Sequence, residues 1–317
     1  MSLKLKCYAG NIGWFARKFF PYLASWGYLN SQYCFRHQLT GNYIDWFMKQ
    51  PSPPQPIIIS IETINRCNSK CGFCAASIQN EKRPFSKMKD EVFFNIVQQL
   101  ADWNYKNMIA LYINNEPLID ERIFDFYMHL RSKLPKATLL LFTNGTLLSP
   151  EKLDKLADCI DVLIINNYSE QKKLHDNLQS VCHYVTTNEY RFSKMEILIQ
   201  FRYTHEVLTN RAGTAPNKKA QTIHKEKCLL PYTDISIFPD GRLGLCCNDF
   251  YEVTDFGNIL EGNIQELWQG IKYHSLREHM KKGRNNYEYC KHCDFVDAGI
   301  RENYIKAYVH SMKQNNS

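Results

Sequence analysis

The chain has 317 residues, of which 44% are hydrophobic and 22% are charged. This composition is typical of a folded globular protein and excludes a disordered, collagen-like or coiled-coil chain. No apolar run approaches the roughly 18 to 20 residues of a membrane-spanning helix. Arg17 and Lys18 interrupt the segment that would be apolar in a signal peptide, so we expect a cytoplasmic protein.

The net charge of +7 is concentrated near the N-terminus. Residues 1–50 hold six Lys or Arg against one acid, Asp45, together with three of the five tryptophans. A basic, aromatic segment of this kind could contact an anionic membrane surface or an acidic partner. Its simpler interpretation is a helical extension that packs its aromatic rings on the main domain. No DNA or RNA motif accompanies the charge, so we expect no nucleic acid partner.

After a proline-rich connector at 51–56, apolar runs alternate with amphipathic helical patterns. Strands are predicted at 57–61, 108–113, 138–142, 161–165 and 195–201. Helices are predicted at 85–103, 123–134, 149–157 and 170–181. Wholly apolar strands that alternate with helices are typical of an α/β fold with a parallel sheet. Five or six such units fit, which predicts a partial (β/α)6 barrel and not the complete eightfold one.

The pattern changes near residue 210. Beyond it, two short apolar runs at 234–238 and 243–245 flank Pro239-Asp240-Gly241-Arg242, which is a hairpin signal. A helix is predicted at about 264–271. The expected domains are a helical N-terminal extension at 1–55, a core barrel at 56–210, a linker at 211–227, a cysteine-rich hairpin-and-helix domain at 228–300, and a C-terminal helix and tail at 301–317.

Twelve cysteines are many for a chain of this length. In a reducing compartment, clustered cysteines indicate metal binding or catalysis before disulfides. Two groups stand out by their spacing. The first is the triplet Cys67, Cys71 and Cys74, and the second is the set Cys228, Cys246, Cys290 and Cys293.

The triplet follows the first predicted strand as Cys67-Asn-Ser-Lys-Cys71-Gly-Phe-Cys74. Three thiolates can hold three irons of a [4Fe–4S] cluster and leave the fourth iron open, whereas a structural zinc site needs four ligands. The segment resembles the signature of the radical S-adenosylmethionine (radical SAM) superfamily. That signature is C-x3-C-x2-C with an aromatic residue before the last cysteine, which here is Phe73. A zinc site with a distant fourth ligand is the alternative.

Two further motifs agree with this resemblance. In that family a Gly-Gly-Glu-Pro-like turn after the second strand contacts the amino group of SAM, and here the turn is formed by Asn114, Asn115, Glu116 and Pro117. Polar contacts to the SAM ribose or carboxylate follow the next strand, where this chain has Thr143 and Asn144. Asn166 and Asn167 follow another predicted strand. All these positions are at the carboxyl ends of strands, where parallel sheets bind ligands.

The second cysteine group resembles the auxiliary-cluster domains of radical SAM enzymes called SPASM and, in a shortened form, twitch. The resemblance rests on Gly241-x4-Cys246, on Gly257-Asn258-Ile259 and on the closing Cys290-x2-Cys293. No cysteine follows Cys293, so the twitch form with one auxiliary [4Fe–4S] cluster is implied. Cys247 lies beside Cys246 and could replace it as a ligand. Zinc in this four-thiolate site is the structural alternative.

The resemblance implies SAM, a SAM-binding [4Fe–4S] cluster and an auxiliary [4Fe–4S] cluster as cofactors. An external one-electron reductant of the flavodoxin or ferredoxin type would drive cleavage of SAM to a 5′-deoxyadenosyl radical, which takes a hydrogen atom from the substrate. A closed auxiliary cluster suits an oxidation, because it can accept an electron from the substrate radical. Arg211 is the candidate catalytic residue, able to anchor an anionic substrate or assist deprotonation. A solvated loop arginine is the alternative.

The substrate class stays open at this point. A small molecule of the sugar or cyclitol type fits the twitch-like resemblance, and a ribosomally made peptide is the alternative. A non-catalytic iron–sulfur electron carrier is a third possibility from a different class. Asn114–Pro117 and Thr143–Gly145 would serve SAM and not a cluster, which argues against the carrier.

Overall fold

The computed structural model describes residues 6–9 as backbone, and residues 40–78 and 83–295. Its strands are β1 Lys6–Ala9, β2 Ile58–Ile61, β3 Met108–Ala110, β4 Thr138–Thr143, β5 Val162–Tyr168, β6 Glu196–Arg202, β7 Asp234–Ile237 and β8 Leu243–Gly244. The helices are α1 at 40–48, α2 Ala75–Ile78, α3 Asp90–Asp102, α4 Ile123–Lys133, α5 Pro150–Leu156, α6 Asp176–Thr187, α7 Leu230–Thr233, α8 Ile264–Gln269 and α9 Ile271–Lys282. The predicted C-terminal helix and tail at 301–317 lie outside the described residues.

Within the described residues, the strands form one sheet in the order β1-β6-β5-β4-β3-β2-β7-β8. Every neighbouring pair is parallel except β7 and β8, which are antiparallel. The central strands are almost wholly apolar and buried, as expected when helices cover a parallel sheet. The prediction of an α/β fold with a mostly parallel sheet is confirmed.

The hairpin of the cysteine-rich region belongs to this same sheet. Strand β7 pairs in parallel with β2, so that Ile59 lies opposite Ile235, and all four residues of β7 are buried. The sequence predicted a separate domain after the barrel, because pairing between segments so far apart leaves no local signal. An unpaired edge of β2 would expose backbone groups, and β7 satisfies them.

Strand β1 lies on the other edge of the sheet, where a helical extension was expected. Residues 6–9 pair in parallel with β6. The predicted core at 56–210 therefore contributes β2 to β6, and the flanking segments add β1 and β7 to the parallel strands. The extension is helical at 40–48, where Phe47 contacts Trp268 edge-on. The Trp268 indole also donates to the Pro54 carbonyl oxygen at 2.8 Å.

Helix α3 begins at Asp90 and not at residue 85. The preceding residues run extended beside the segment after β2, where the Met88 amide donates to the Thr63 carbonyl at 2.8 Å. Asp90 and Glu91 then place negative charge at the helix N-terminus, which favours a start there. The buried face of α3 consists of Val92, Phe93, Ile96, Val97 and Leu100.

Strand β5 continues to Tyr168, beyond its predicted end at Ile165, and α6 begins at Asp176 instead of residue 170. Asn167 explains both differences. Its side-chain nitrogen donates to the Lys173 carbonyl at 2.9 Å, and its side-chain oxygen accepts from the His175 backbone amide at 3.0 Å. These bonds keep the connection between strand and helix non-helical. In the described part of the chain, no helix is both long and apolar enough to cross a lipid bilayer.

Candidate active site

A cavity of about 550 Å³ lies at the carboxyl ends of β3, β4 and β5, beside the loop that follows β2. The predicted residues that line it are Cys67, Cys71, Phe73, Cys74, Asn114, Asn115, Glu116, Thr143, Asn144, Asn166 and Arg211. Pro117 is not among the lining residues; it begins a short 3₁₀ turn, Pro117–Ile119.

The cysteine triplet forms a loop with its thiols at one end of this cavity. The Ser69 amide donates to the sulfur of Cys67 at 3.4 Å, and the Cys74 amide donates to the Cys71 carbonyl at 3.0 Å. Amide hydrogen bonds to cysteine sulfur are among the interactions that tune iron–sulfur clusters. Burial raises the pKa of Cys67 to about 11 and that of Cys71 to about 12. Cluster binding must therefore displace protons from these thiols.

Asn144 holds the triplet loop in place. Its side-chain nitrogen donates to Asn68 Oδ1 at 2.8 Å and to Ser69 Oγ at 2.9 Å, and it lies 3.9 Å from the sulfur of Cys67. Its side-chain oxygen accepts from the amide of Thr146 at 2.9 Å. These contacts show Asn144 positioning the cysteine loop, a function that the sequence motif did not indicate.

Glu116 joins the ends of β3 and β4. Its carboxylate accepts from the Thr143 hydroxyl at 2.7 Å, from the Asn144 amide at 2.7 Å and from the Leu118 amide at 3.2 Å. Burial raises the pKa of this carboxyl, and the two bonds from Asn144 and Thr143 act in the opposite direction. The predicted SAM-contacting turn is thus fixed to the neighbouring strand by its own acidic residue.

Some polar groups in the cavity wall have no partner among the described residues. They are the side-chain nitrogens of Asn114 and Asn115 and the Nε of Arg211. Asn114 and Asn115 are 5% and 4% exposed, so water does not satisfy them readily. A buried donor without an acceptor is costly, so the wall is suited to a ligand that presents several oxygen atoms.

Aromatic side chains that sequence reasoning missed complete the wall. Tyr112 and Phe142 have ring centroids 5.3 Å apart, and Tyr168 lies 5.7 Å from the ring of Phe73. Phe73, a predicted cofactor contact, is 6% exposed, and its ring packs against that of Tyr168. An aromatic residue at the end of each strand was the available signal, but aromatic residues are common in strands and do not stand out.

The second cysteine group lines a separate cavity of about 340 Å³. Cys228, Cys246, Cys290 and Cys293 all lie in its wall, and Cys247 is not among the lining residues. Burial raises the pKa of all four thiols. The amides of Leu230, Asn248 and Phe295 oppose this effect by hydrogen bonding to the cysteine two residues earlier, as Ser69 does for Cys67. The repeated amide–sulfur contact fits thiolate ligands of a cluster.

Across the described residues, no three His, Cys, Asp or Glu side chains converge closely enough to hold a single metal ion. Thiolates of a cubane cluster each bind a different iron, so they need not converge on one point. Four thiols around one cavity are compatible with that arrangement.

One loop contributes to both cavities. Arg211 and Ala212 adopt left-handed backbone conformations, with φ of 49° and 54°. Non-glycine residues pay a steric cost there, so the surrounding contacts must hold them. Asn210 provides these contacts: its amide donates to Asp294 at 2.7 Å, and its side-chain nitrogen donates to the His292 carbonyl at 2.7 Å.

The two residues of this loop face different sites. The Ala212 amide hydrogen bonds to the sulfur of Cys293 in the second cavity. The Arg211 guanidinium lies in the wall of the first cavity, where it donates to Asn114 Oδ1 and to the Cys247 carbonyl, the latter at 2.9 Å. The alternative of a solvated loop arginine is therefore wrong. Burial lowers the pKa of Arg211, but the nearby thiols of Cys74 and Cys247 raise it overall.

Residues 61–179 match the family model described as the radical SAM superfamily, and residues 228–294 match SPASM, described as an iron–sulfur cluster-binding domain. The chain is a radical SAM enzyme with a SPASM-type domain. The predictions of family, of enzyme activity, and of a SAM-binding [4Fe–4S] cluster with an auxiliary cluster are confirmed. The ligand and contact roles of individual residues stay predictions.

Among curated proteins, this radical SAM enzyme is similar to the S-adenosyl-L-methionine-dependent 2-deoxy-scyllo-inosamine dehydrogenase of Niallia circulans. The two are 24% identical over 253 residues, which cover 78% of this chain and 96% of the relative. Among solved structures, it resembles BtrN in complex with AdoMet and 2-DOIA, with a TM-score of 0.67 and 24% identity over 77% of this chain and 95% of that one. It also resembles anSMEcpe with bound AdoMet, with a TM-score of 0.51 and 16% identity over 75% of this chain and 89% of that one. These likenesses in structure show the shared fold.

Proposed function

We propose that this enzyme is a radical SAM dehydrogenase that oxidises a hydroxyl group of a small sugar- or cyclitol-type molecule to a ketone. The observation that carries the proposal is the shared loop, in which Arg211 reaches the first cavity while the adjacent Ala212 amide contacts a thiol of the second. Such an arrangement suits a substrate that must lose an electron to the second site. The runner-up is a maturase acting on a ribosomally made peptide.

The cofactors would be held by the residues that line each cavity. Cys67, Cys71 and Cys74 would bind the SAM cluster, and Cys228, Cys246, Cys290 and Cys293 the auxiliary cluster. When bound, these groups supply reductive SAM cleavage, abstraction of a substrate hydrogen atom and acceptance of one electron. The chain itself excludes water from the reaction with the aromatic rings of Tyr112 and Phe142.

Polar contacts to the ligands would come from the unpaired donors of the first cavity. The side-chain nitrogens of Asn114 and Asn115 would donate hydrogen bonds to oxygen atoms of SAM or of the substrate. Thr143 and Asn144 use their side chains largely within the protein, so Asn166 and the Asn114–Asn115 pair carry more of the expected binding.

Arg211 would act on the substrate hydroxyl. A guanidinium does not give up its proton in proteins, so Arg211 cannot serve as a general base. It would instead stabilise the negative charge that develops on the oxygen as the hydroxyl proton leaves. The Asn114 side chain and the Cys247 carbonyl hold the guanidinium in position for this role.

The relative's name supports the substrate class. The 2-deoxy-scyllo-inosamine dehydrogenase aligns over 96% of its length. The hydrogen-bond donors of the cavity that lack an acceptor among the described residues agree with a polyhydroxylated ligand. We further propose an external flavodoxin- or ferredoxin-type reductant, and a cytoplasmic location, because thiolate clusters need a reducing compartment. Contact of residues 1–50 with a membrane or acidic partner stays a prediction, as most of that segment lies outside the described residues.

The test is to incubate the anaerobically reconstituted enzyme with SAM, a chemical reductant and a panel of aminocyclitols deuterated at their carbinol carbons. We expect a ketone product and one equivalent of deuterated 5′-deoxyadenosine for one member of the panel. Deuterated 5′-deoxyadenosine without a ketone would contradict dehydrogenation. Turnover of a synthetic precursor peptide and of no cyclitol would favour the maturase.

A further inference from the structure

The auxiliary cavity contains a buried cation. Arg284 is 6% exposed and lines the cavity together with the four cysteines. Its Nη1 donates to the Cys293 carbonyl at 2.6 Å, and its Nη2 donates to the Phe295 carbonyl. These two bonds fix the guanidinium on the segment that carries the closing pair of cysteines.

The acidic residues of this region have other partners. Asp294 pairs with Lys218 at 2.6 Å, and the carboxylate of Asp249 accepts from the amides of Val253 and Thr254 at 3.0 Å. Among the described residues, Arg284 forms no ion pair with a carboxylate. Its positive charge therefore faces the cavity without a compensating anion from that part of the chain.

Two side-chain donors in the cavity wall are unsatisfied. The Nε of Arg284 and the side-chain nitrogen of Asn248 are buried and have no acceptor among the described residues. Asn248 is 3% exposed, so neither donor is served by bulk water. The other groups that line the cavity include the four thiols, so a thiolate-bound cluster would bring sulfur acceptors to these donors.

We propose that Arg284 sets the reduction potential of the auxiliary cluster, by directing its charge and its Nε–H at the cluster sulfurs so that the reduced state is favoured. A cluster gains one negative charge when it is reduced, and a fixed cation in a poorly polarisable site stabilises that state most. Asn248 adds a neutral donor with a smaller effect. The inference deepens the proposed dehydrogenation and rests on it.

The electron balance of that reaction requires such an acceptor. The substrate C–H hydrogen leaves with the 5′-deoxyadenosyl group, the hydroxyl proton goes to solvent, and the remaining electron reduces the auxiliary cluster by one unit as the C=O bond forms. Arg284 lies on the accepting side of this transfer, whereas Arg211 lies on the substrate side.

The experiment is an EPR-monitored redox titration of the holoenzyme, repeated with Cys67, Cys71 and Cys74 changed to Ala so that only the auxiliary cluster contributes. For Arg284→Gln we expect the equilibrium constant for one-electron reduction to fall about tenfold, a shift of about 59 mV to lower potential. Arg284→Lys should recover most of the shift. The matched control is Lys282→Gln, which removes the same charge two residues away but at an exposed position; it should leave the potential unchanged because solvent screens that charge.

A less than twofold change in Arg284→Gln, or an equal change in Lys282→Gln, would overturn the proposal. If Arg284→Gln fails to bind iron, Arg284 is kept and the variant with Cys67, Cys71 and Cys74 changed to Ala is labelled with guanidino-¹⁵N arginine. A ¹⁵N hyperfine coupling to the reduced auxiliary cluster supports the contact, and its absence rejects it. Potentials are measured without substrate, so a shifted potential with no ketone formation would sink the dehydrogenase proposal and leave the inference about Arg284 intact.

Discussion

Arg211 donates a hydrogen bond to the side-chain oxygen of Asn114, although 97 residues separate them in the chain. Asn114 belongs to the turn after β3 that is predicted to contact SAM, and Arg211 belongs to the loop that also touches the auxiliary cavity. The pair therefore links the turn after β3 to the loop whose residues line both cavities.

We expect Arg211→Gln to lower the rate of ketone formation about 100-fold, the usual effect of losing one donor that stabilises developing charge. Arg211→Lys should fall between, because lysine keeps the charge but lacks the rigid, planar guanidinium whose Nη2 donates to both Asn114 and Cys247. Arginine, glutamine and lysine all have a side chain that opposes the φ of 49° at position 211, so the backbone cost is the same in the three proteins compared.

Iron content and ketone formation are measured on each variant, with Lys219→Gln as the control for loss of one charge in the same loop. Lys219 is exposed, so its replacement should change neither quantity. Full activity in Arg211→Gln with normal iron content would remove Arg211 from the proposed reaction.

Adjacent cysteines make different contacts around the second site. Cys246 is 7% exposed and lines the auxiliary cavity, whereas Cys247 is outside its lining and its carbonyl accepts from Arg211. Strand alternation was the expected reason for this difference, but β8 ends at Gly244 and both cysteines lie in the turn that follows, where the Asp249 amide donates to the Cys246 carbonyl at 3.0 Å. The choice of Cys246 therefore rests on its place in the cavity wall. Cys246→Ala should lose the auxiliary irons and stop net oxidation while SAM is still cleaved.

Cys247→Ala is the matched variant, and it should keep a full complement of iron. The measurement is iron and sulfide per chain together with 5′-deoxyadenosine release. Loss of iron in the Cys247 variant alone would reverse the assignment, and equal retention in both variants would show that the site is not a closed four-thiolate cluster.

The SAM cluster is expected to depend on the triplet alone. Changing Cys67, Cys71 and Cys74 together to Ala should reduce the iron from about eight to about four per chain, because each [4Fe–4S] cluster contributes four. SAM cleavage should be abolished, since no iron is left open to bind it. Any 5′-deoxyadenosine above the no-enzyme background would show that the cluster assignment is wrong.

The cysteine motifs were predictable because their ligands are close in sequence: Cys67, Cys71 and Cys74 lie in one loop, and Cys290 and Cys293 in another. The pairing of β2 with β7 was not predictable, because it is decided by burial of a sheet edge and not by any local pattern. The polar and aromatic side chains around the first cavity were predictable in part.

Asn166 and Asn167 illustrate the limit of strand-end reasoning. The sequence placed both after the strand, but β5 continues through them, so they point to opposite faces. Asn166 reaches the cavity, and Asn167 is fully buried against the loop before α6. Arg284 carried no signal at all, because a single arginine before a C-x2-C pair is indistinguishable by sequence from an exposed one.

A buried ion-pair network joins the core to the cysteine-rich region. Arg83 pairs with Glu62 at the end of β2 and with Glu252 in the loop after β8, and its guanidinium lies 5.1 Å from the ring centroid of Phe250. Glu62 also accepts from the Asn114 amide at 3.1 Å, which connects the network to the first cavity. The side chains of Arg83 and Glu62 are 3% and 0% exposed.

Arg83→Met should therefore destabilise the folded enzyme by about 3–5 kcal/mol, because it leaves Glu62 as a buried charge without its partner. Burial already raises the pKa of Glu62 even with Arg83 beside it, and loss of the arginine should raise it further. When a carboxyl has a higher pKa in the folded protein than in the unfolded chain, the folded protein becomes less stable as pH rises. The destabilisation by Arg83→Met should therefore be smaller at pH 6 than at pH 8.

Anaerobic denaturant titrations at both pH values measure the free energy of unfolding. The control is Arg191→Met, because Arg191 pairs with the half-exposed Asp154 and Asp158, and the loss of these pairs should cost less than about 1 kcal/mol. Adding Glu62→Gln to Arg83→Met should abolish the pH dependence; if the dependence persists in the double variant, another buried group is responsible and Glu62 is not the residue left without a partner.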